Sequence, residues 1–124
     1  MGAGKTRLAE EVAARLGREL IDVDALIERA ARMDIPTIFR ERGEPAFREL
    51  EELTTVGMFA FDTPGVLSLG GGAVMSERVR DVLREGALTV WIDVDADTAW
   101  QRVRGSDRPL AQDEADFRRL YEER

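Results

Sequence analysis

The sequence contains no cysteine and no histidine among its 124 residues. Disulfides, thiolate nucleophiles, imidazole acid–base catalysis and ordinary zinc sites are therefore excluded. Any catalytic base has to be a carboxylate, and any electrophile has to be a cation or a metal ion. No apolar run approaches the roughly 20 residues of a membrane span, and the charged opening is unlike a signal peptide. We therefore expect a cytoplasmic protein.

The charge balance is acidic, with 18 basic and 25 acidic residues and a net charge of −7. Such a chain is not suited to general binding of nucleic acid or of anionic membranes, so its positive charges have to act locally. The length and a hydrophobic content of 44% fit one domain with a modest core, and not two.

The chain opens with the residues M-G-A-G-K-T, and Gly4, Lys5 and Thr6 fit the last three positions of the phosphate-binding pattern G-x-x-x-x-G-K-[ST]. In that pattern backbone N–H groups wrap the phosphates, the lysine reaches the terminal pair, and the hydroxyl holds Mg²⁺. The first glycine of the pattern and its preceding strand are not in the sequence, so a mobile glycine-containing N terminus is the alternative. An apolar stripe at helical spacing follows and ends at Gly17, which predicts the helix that the motif requires.

Two aspartates, Asp22 and Asp24, close a short β-prone segment that begins at Leu20, and a helix from Ala25 follows. They therefore come at the carboxyl end of a strand, where open α/β sheets place their ligands. The alternative is that Asp24 only caps the helix and Asp22 is a solvated charge.

The next part of the chain predicts a helix from residue 34 that breaks at Gly43-Glu44-Pro45 and restarts at Ala46. Phe39 and Phe47 lie on this helical part, where an aromatic side chain is more often core than ligand-binding. Arg48 lies on a charged helix, which usually presents a solvated face.

Residues 66–69 predict a buried parallel strand, and Gly70, Gly71 and Gly72 follow it directly. Glycine lets the backbone approach a ligand closely, so the three glycines are candidates for ligand contacts. The alternative is that they form a flexible loop. Ser76 predicts the start of a helix, and residues 88–94 predict a further strand followed by a helix at 96–103. Strands and helices alternate, which is typical of a parallel sheet with helices on its faces.

The last part, residues 104–115, is polar and carries arginines, and it precedes a charged helix predicted at 116–124. An arginine-bearing flap beside a nucleotide site fits a lid, since closure excludes water and supplies positive charge. A surface loop is the alternative, because local composition does not separate the two.

In collinear order over the whole chain, G-A-G-K-T, D-V-D, F-R-E-L-E, V-L-S-L-G-G-G-A-V and R-P-L resemble shikimate kinase. The resemblance implies an α/β fold, a three-layer α/β/α arrangement with a central parallel sheet of the P-loop NTPase type. It also implies transfer of the γ-phosphoryl group of ATP to the 3-hydroxyl of shikimate, in aromatic amino-acid biosynthesis. Relative to the family, the first and last strands are missing, so we expect the isolated chain to be poorly stable and weakly active.

The resemblance further implies a role for each matching position. Lys5 would contact the β- and γ-phosphates, Thr6 would coordinate Mg²⁺, and Asp22 would hold the metal through water. Asp24 would bind the shikimate hydroxyls and accept the attacking proton. The implied nucleotide-binding set is Gly2, Ala3, Gly4, Lys5, Thr6, Arg7 and Arg108, and the implied catalytic set is Lys5, Asp24 and Arg108.

The resemblance places the substrate carboxylate on Arg48, which Glu51 would orient, and on a second arginine at Arg124, with Arg118 or Arg119 as rivals. The remaining implied substrate contacts are backbone N–H groups of Gly70, Gly71 and Gly72 and a pocket wall of Phe39 and Phe47. We expect residues 1–124 to be a single, incomplete P-loop kinase domain, with a substrate-binding helical part at about 25–60 and a lid at about 104–116.

Two other functions stay open at this point. One is another small-metabolite P-loop kinase, such as a gluconate kinase, and the other is a non-catalytic ligand-binding relic of the fold. The D-V-D, F-R-E-L-E and triple-glycine elements stand against the first, because they occur together only in the shikimate kinase pattern. Retention of Lys5, Asp24, Arg48 and Arg108 stands against the second. We expect a monomer whose partners are ATP and shikimate, and fusion to another enzyme of the pathway is left open.

Overall fold

The computed structural model describes residues 2–60, 64–104 and 113–123. The helices, strands and single 3₁₀ turn of these residues follow in chain order: α1 (Lys5–Leu16), β1 (Glu19–Asp22), α2 (Val23–Ala31), α3 (Ile35–Met58), β2 (Gly65–Ser68), the 3₁₀ turn (Ala73–Met75), α4 (Glu77–Gly86), α5 (Ala96–Val103) and α6 (Glu114–Glu122).

The two strands form a parallel sheet in which Glu19 lies opposite Gly65 and Asp22 lies opposite Ser68. Helix α1 packs against both strands, as expected for helices that cover a parallel sheet. The carboxyl ends of β1 and β2 therefore meet at one edge, next to Asp24 and Gly70. This arrangement confirms the predicted α/β class with a parallel sheet.

Short polar side chains start most of the helices. Each accepts a hydrogen bond from a backbone N–H of the first turn, which satisfies one of the unpaired donors there. The capping residues are Asp22 for α2, Asp34 for α3, Ser76 for α4, Asp95 for α5 and Asp113 for α6. Gly17 ends α1 in the left-handed conformation, at φ 61°, as the sequence predicts. Helix α6 begins two residues earlier than predicted, at Glu114, because Asp113 provides its cap.

Helix α3 contains the break that the sequence predicts. Gly43 lies at φ 79° and ψ 169°, two residues before Pro45. A positive φ costs least at glycine, and proline cannot donate the hydrogen bond that would continue the helix. The second half of α3 therefore starts in a new direction, and it carries Arg48 and Glu51.

The predicted strand at residues 88–94 is wrong, since the structure assigns no strand there. A strand needs a neighbour for its backbone hydrogen bonds, and the described residues contain no third strand to pair with this segment. Leu88, Val90 and Trp91 are instead 95%, 69% and 64% exposed. The segment forms one wall of a groove of about 910 Å³ whose other walls include β2 and the apolar face of α1.

The buried apolar side chains fall into three clusters. The cluster nearest the carboxyl ends of the strands joins α2 to α3 through Val23, Ile27, Ile38 and Phe47. A second cluster joins the 3₁₀ turn to α4, and a third joins α5 to α6. The first two clusters fix α2, α3 and residues 70–76, here called the glycine segment, relative to one another. None of the helices in the described ranges is long and apolar enough to cross a membrane.

Candidate active site

The N-terminal loop has the backbone shape of a phosphate cradle. Gly2 and Gly4 adopt positive φ values of 71° and 82°, and α1 begins directly afterwards at Lys5. A Cβ at Gly2 would lie 2.5 Å from the carbonyl oxygen of Ala99, so only glycine fits against α5. Arg102 donates a hydrogen bond to the Gly2 carbonyl at 3.0 Å. Helix α5 therefore holds the loop in front of the N terminus of α1, where free N–H groups favour anions.

The cradle faces the end of β2. Ala3 and Lys5 line the same groove as Gly70 and Gly71, so the lysine and the glycine segment border one shared space. Thr6 and Arg7 are exposed on the first turn of α1. Of the predicted nucleotide-binding residues, Ala3 and Lys5 thus border the groove that Gly70 and Gly71 also line.

The two aspartates differ in a way that the sequence left open. Asp22 is the helix cap, because its Oδ1 accepts a hydrogen bond from the N–H of Ala25 at 3.2 Å. Asp24 lies in the first turn of α2 and does not cap it. Its Oδ1 is buried and faces Gly70. The interpretation of Asp24 as a mere helix cap is therefore wrong, and its carboxylate belongs to the interior of the site.

Arg48 lies between two carboxylates of its own helix. Its Nη1 donates to Glu51 Oε2 at 2.6 Å, and its Nε and Nη2 donate to Glu44 Oε1 at 3.1 and 3.0 Å. Burial lowers the pKa of Arg48, but the hydrogen bonds and the charges of Glu51 and Glu44 outweigh it and raise the pKa above its ordinary value. The side chain is 27% exposed. It is therefore a permanently charged, oriented cation that still reaches solvent, which suits a carboxylate ligand.

The glycine segment fits against these charged groups because it has no side chains. A Cβ at Gly70 would clash with Glu51 Oε1 and lie 3.2 Å from Asp24 Oδ1. A Cβ at Gly72 would clash with Arg48 Nη1 and lie 2.6 Å from its Cζ. The close approach that the sequence suggested for the glycines thus occurs within the chain itself. It gathers Asp24, Arg48 and Glu51 around one piece of backbone.

Phe39 and Phe47 pack against each other beside Arg48. Their ring centroids are 4.7 Å apart, and the Arg48 Cζ lies 5.3 Å from the Phe47 centroid. Phe47 is buried in the cluster between α2 and α3, and Phe39 packs against that cluster while remaining half-buried. Phe47 therefore acts first as core and as a support for the arginine, and Phe39 has the more accessible ring.

Two predicted site residues, Arg108 and Arg124, lie outside the described ranges. The rivals for Arg124 lie in α6 and pair with carboxylates of α5 and α6. Arg118 pairs with Asp97 at 2.7 Å and with Glu114 at 2.6 Å, and Arg119 pairs with Asp116 at 2.9 Å.

Sequence reasoning missed three residues that shape this site. Glu44 pairs with Arg48 at the i,i+4 spacing, which is a signal that could have identified it. Arg102 holds Gly2, and Glu52 accepts a hydrogen bond from Ser76 across 24 residues of chain. These last two contacts link distant segments and have no local sequence pattern.

Thr6 and Asp22 carry oxygen donors of the kind that Mg²⁺ binds. The described residues contain no cluster of three or more acidic side chains that could bind a metal ion without other ligands. Mg²⁺ usually binds through one or two carboxylates, water and substrate phosphates. Thr6 supplies a hydroxyl on the first turn of α1. Asp22 uses one oxygen as a helix cap, which leaves the other for a metal-bound water.

A glycine cradle before a helix, a lysine at its start and ligand-binding groups at the carboxyl edge of a parallel sheet define a P-loop kinase-type α/β protein. The family model for shikimate kinase matches residues 1–124. The chain therefore belongs to the shikimate kinase family.

Individual relatives agree with this assignment. The chain is 44% identical over 128 residues to shikimate kinases from Ruegeria pomeroyi and Nitrobacter winogradskyi, with all of this chain covered. It spans 65% and 59% of the lengths of those two proteins. Among solved structures, the shikimate kinase from Acinetobacter baumannii in complex with shikimate superposes with a TM-score of 0.90 at 35% identity. That match covers 98% of this chain and 68% of the other.

Proposed function

We propose that this chain forms the phosphate-binding and shikimate-binding part of a shikimate kinase, which transfers the γ-phosphoryl group of ATP to the 3-hydroxyl of shikimate. The observation that carries the proposal is the cluster around the glycine segment. There an oriented arginine and an aspartate with a buried oxygen meet the same short stretch of backbone. This set of groups matches a small molecule that has both a carboxylate and hydroxyl groups.

Recognition of the acid would begin at Arg48. A guanidinium and a carboxylate form strong, charge-assisted hydrogen bonds, and Glu51 and Glu44 hold this guanidinium in place before the ligand arrives. Backbone N–H groups of Gly70, Gly71 and Gly72 would contact the same ligand, and Phe39 and Phe47 would form its pocket wall. A second arginine contact is assigned to Arg124, with Arg118 and Arg119 as rivals.

Phosphoryl transfer requires positioning and charge neutralisation more than covalent help. The 3-hydroxyl oxygen would attack the γ-phosphorus while the bond from that phosphorus to the β-bridging oxygen breaks. The hydroxyl proton would pass to Asp24, and ADP would leave with the bridging oxygen. Lys5 and the N–H groups of Gly2, Ala3, Gly4, Thr6 and Arg7 would hold the phosphates, with Arg108 closing over them.

Thr6 and Asp22 would hold Mg²⁺ in this reaction, Thr6 directly and Asp22 through water. The ion, when bound, neutralises phosphate charge and aligns the phosphate chain for transfer. We assign residues 1–124 to one kinase domain, with substrate-binding helices at about 25–60 and a lid at about 104–116. We further propose a cytoplasmic monomer that acts on small molecules.

The test is shikimate-dependent release of ADP from the complete gene product under saturating MgATP. Asp24→Asn would lower kcat by about 10² to 10⁴-fold, because it removes the proton acceptor. Arg48→Ala would raise the KM for shikimate by at least about tenfold, because it removes a charge-assisted hydrogen bond. The KM for MgATP would change little in both variants.

The control is Arg84→Ala, which removes an exposed arginine of α4 whose ion pair within the described ranges is with Asp81 of its own helix. It should behave as the unaltered protein. Binding of ATP without any stimulation by shikimate would refute the substrate assignment, and a screen of other small hydroxy acids would follow. Binding of both ligands without turnover would instead support the non-catalytic relic.

A further inference from the structure

The glycine segment is tied to α3 by one side-chain contact that lies just beyond the proposed substrate groups. Ser76 donates a hydrogen bond through Oγ to Glu52 Oε2 at 2.7 Å. The same hydroxyl accepts from the N–H of Val79 at 3.2 Å and so caps α4. Glu52 follows Glu51 directly on α3. One hydroxyl therefore links the start of α4, the end of the glycine segment and the helix that carries Arg48.

The spacing between α3 and the glycine segment matters because the two surfaces enclose a pocket of about 280 Å³. Arg48 and Gly72 border this pocket together, and Glu52 and Ser76 border it as well. Gly72 already lies so close to Arg48 that a single added carbon would clash. A small outward movement of the segment would therefore change the surroundings of the guanidinium.

Other contacts hold the segment less directly. Arg80 donates through Nη1 to the carbonyl oxygens of Val74 and Met75 at 2.8 and 2.9 Å. These two bonds join the glycine segment to α4 and do not reach α3. The apolar cluster of Ala73, Val79 and Leu83 packs against Val56 of α3 and against Phe59, which follows the end of that helix, and apolar contacts are not directional. The bond from Ser76 to Glu52 adds a fixed direction and length.

We infer that Glu52, acting through Ser76, is a positioning residue that holds the glycine segment at the distance from Arg48 that carboxylate binding requires. This role rests on the proposed shikimate kinase function. The pKa of Glu52 agrees with an ionised acceptor, since the hydrogen bond from Ser76 and the bond and charge of Arg78 lower it despite some burial. Arg78 also donates to Glu52, at 2.8 Å, but that arginine is largely exposed.

The test compares three variants of the complete gene product in steady-state kinetics. Glu52→Ala is expected to raise the KM for shikimate about three- to tenfold, because it removes a hydrogen bond to a charged acceptor. The KM for MgATP should change less than about twofold, because the phosphate cradle is held by α5 instead. Glu52→Gln should restore most of the affinity, since its amide oxygen still accepts from Ser76. Arg78→Ala should leave both KM values unchanged.

A second readout does not depend on turnover. Amide hydrogen exchange of residues 70–76 should accelerate about fivefold or more in Glu52→Ala, because a directional bond that closes this segment is lost. It should not accelerate in Arg78→Ala. Asp81→Ala serves as the matched control, since it removes an exposed carboxylate of α4 that accepts a hydrogen bond from Arg84 at 2.8 Å and leaves the contact between Ser76 and Glu52 in place.

The two readouts separate the possible failures. An absence of shikimate-dependent turnover in the unaltered protein would refute the proposed function, while exchange would still show whether Glu52 holds the segment. If turnover is present, three results would each overturn the positioning role: unchanged exchange in Glu52→Ala, an equal rise of both KM values, or the same kinetics in Glu52→Ala and Asp81→Ala.

Discussion

Glu51 is 2% exposed, and its Oε2 accepts a hydrogen bond from Arg48 Nη1 at 2.6 Å. The two residues lie one helical turn apart on α3, so the helix itself sets their spacing. The Glu51 carboxylate is buried, and the Arg48 guanidinium reaches solvent. Glu51 therefore holds Arg48 in a fixed orientation, and Arg48 presents its charge towards the outside.

Replacing Glu51 by Ala should therefore release Arg48 from one side of the site. We expect a loss of stability of about 1–3 kcal/mol, the usual effect of removing a partly buried, charge-assisted hydrogen bond, and a higher KM for shikimate. Glu51→Gln keeps an acceptor of the same shape and should lose less of both. Chemical denaturation and ADP release measure the two effects. Equal behaviour of the Ala and Gln variants would contradict an anchoring role for the carboxylate.

Gly72 should not tolerate even the smallest side chain without a change in substrate affinity. A Cβ at this position meets the guanidinium of Arg48, so Gly72→Ala should displace the cation and raise the KM for shikimate about tenfold or more, as expected when a charge-assisted hydrogen bond is lost. The KM for MgATP should stay within about twofold, since distant sites are nearly independent.

Gly57→Ala is the matched control for that substitution. Gly57 lies in α3, and a Cβ built on it meets no atom of the described chain within 4 Å outside its chain neighbours and the nearby backbone of its own helix. It should keep both KM values and raise the free energy of unfolding by up to about 1 kcal/mol, because alanine favours helices over glycine. A loss of shikimate affinity in both variants alike would show that glycine-to-alanine changes act through general destabilisation.

Local sequence patterns predicted a large part of this architecture. The helix after Lys5, the break at Gly43, the parallel strands and the cap at Ser76 each depend on residues close in sequence. Asp22, Asp24 and the three glycines drew attention because they follow strands, whereas Arg48 and Glu51 on α3 were assigned roles only through the resemblance to shikimate kinase. The strand predicted at 88–94 failed because pairing depends on a neighbour, which no local pattern supplies. The contacts from Arg102 to Gly2 and from Ser76 to Glu52 were missed for the same reason.

Two helix-capping aspartates and Glu52 have lowered pKa values, which predict how the stability of the fold depends on pH. The side-chain and backbone hydrogen bonds from Thr37 lower the pKa of Asp34, those from Thr98 lower the pKa of Asp95, and the hydrogen bond from Ser76 lowers the pKa of Glu52. A group with a lowered folded-state pKa stabilises the fold above its unfolded pKa, and this stability is lost as the pH falls through the folded pKa.

The midpoint temperature of thermal unfolding should therefore be nearly constant between about pH 6 and pH 8. It should decline below about pH 4, where such carboxylates take up protons. Asp34→Asn provides the comparison, because asparagine also caps helices but does not titrate. Its midpoint should decline less steeply in acid. A midpoint that rises between pH 5 and pH 3 would show that these carboxylates do not control acid stability.

The exposed apolar segment at 88–94 should make the 124-residue chain bind hydrophobic dyes. Leu88 and Val90 are 95% and 69% exposed and line the groove beside β2, and exposed apolar patches of this kind favour association with apolar ligands. Leu88→Ser combined with Val90→Ser should reduce anilinonaphthalene sulfonate fluorescence at least about twofold, because the patch loses two of its large side chains.

The thermal midpoint should change little in that double variant, because neither side chain is buried. Leu53→Ser is the control, since Leu53 is 54% exposed on α3 and does not line the groove. Its dye fluorescence should equal that of the unaltered chain. Equal fluorescence in the unaltered chain, the double variant and Leu53→Ser would show that the dye binds elsewhere. An equal fall in the double variant and in Leu53→Ser would show that any exposed leucine replaced by serine lowers dye binding. Only a fall confined to the double variant assigns the dye site to the groove.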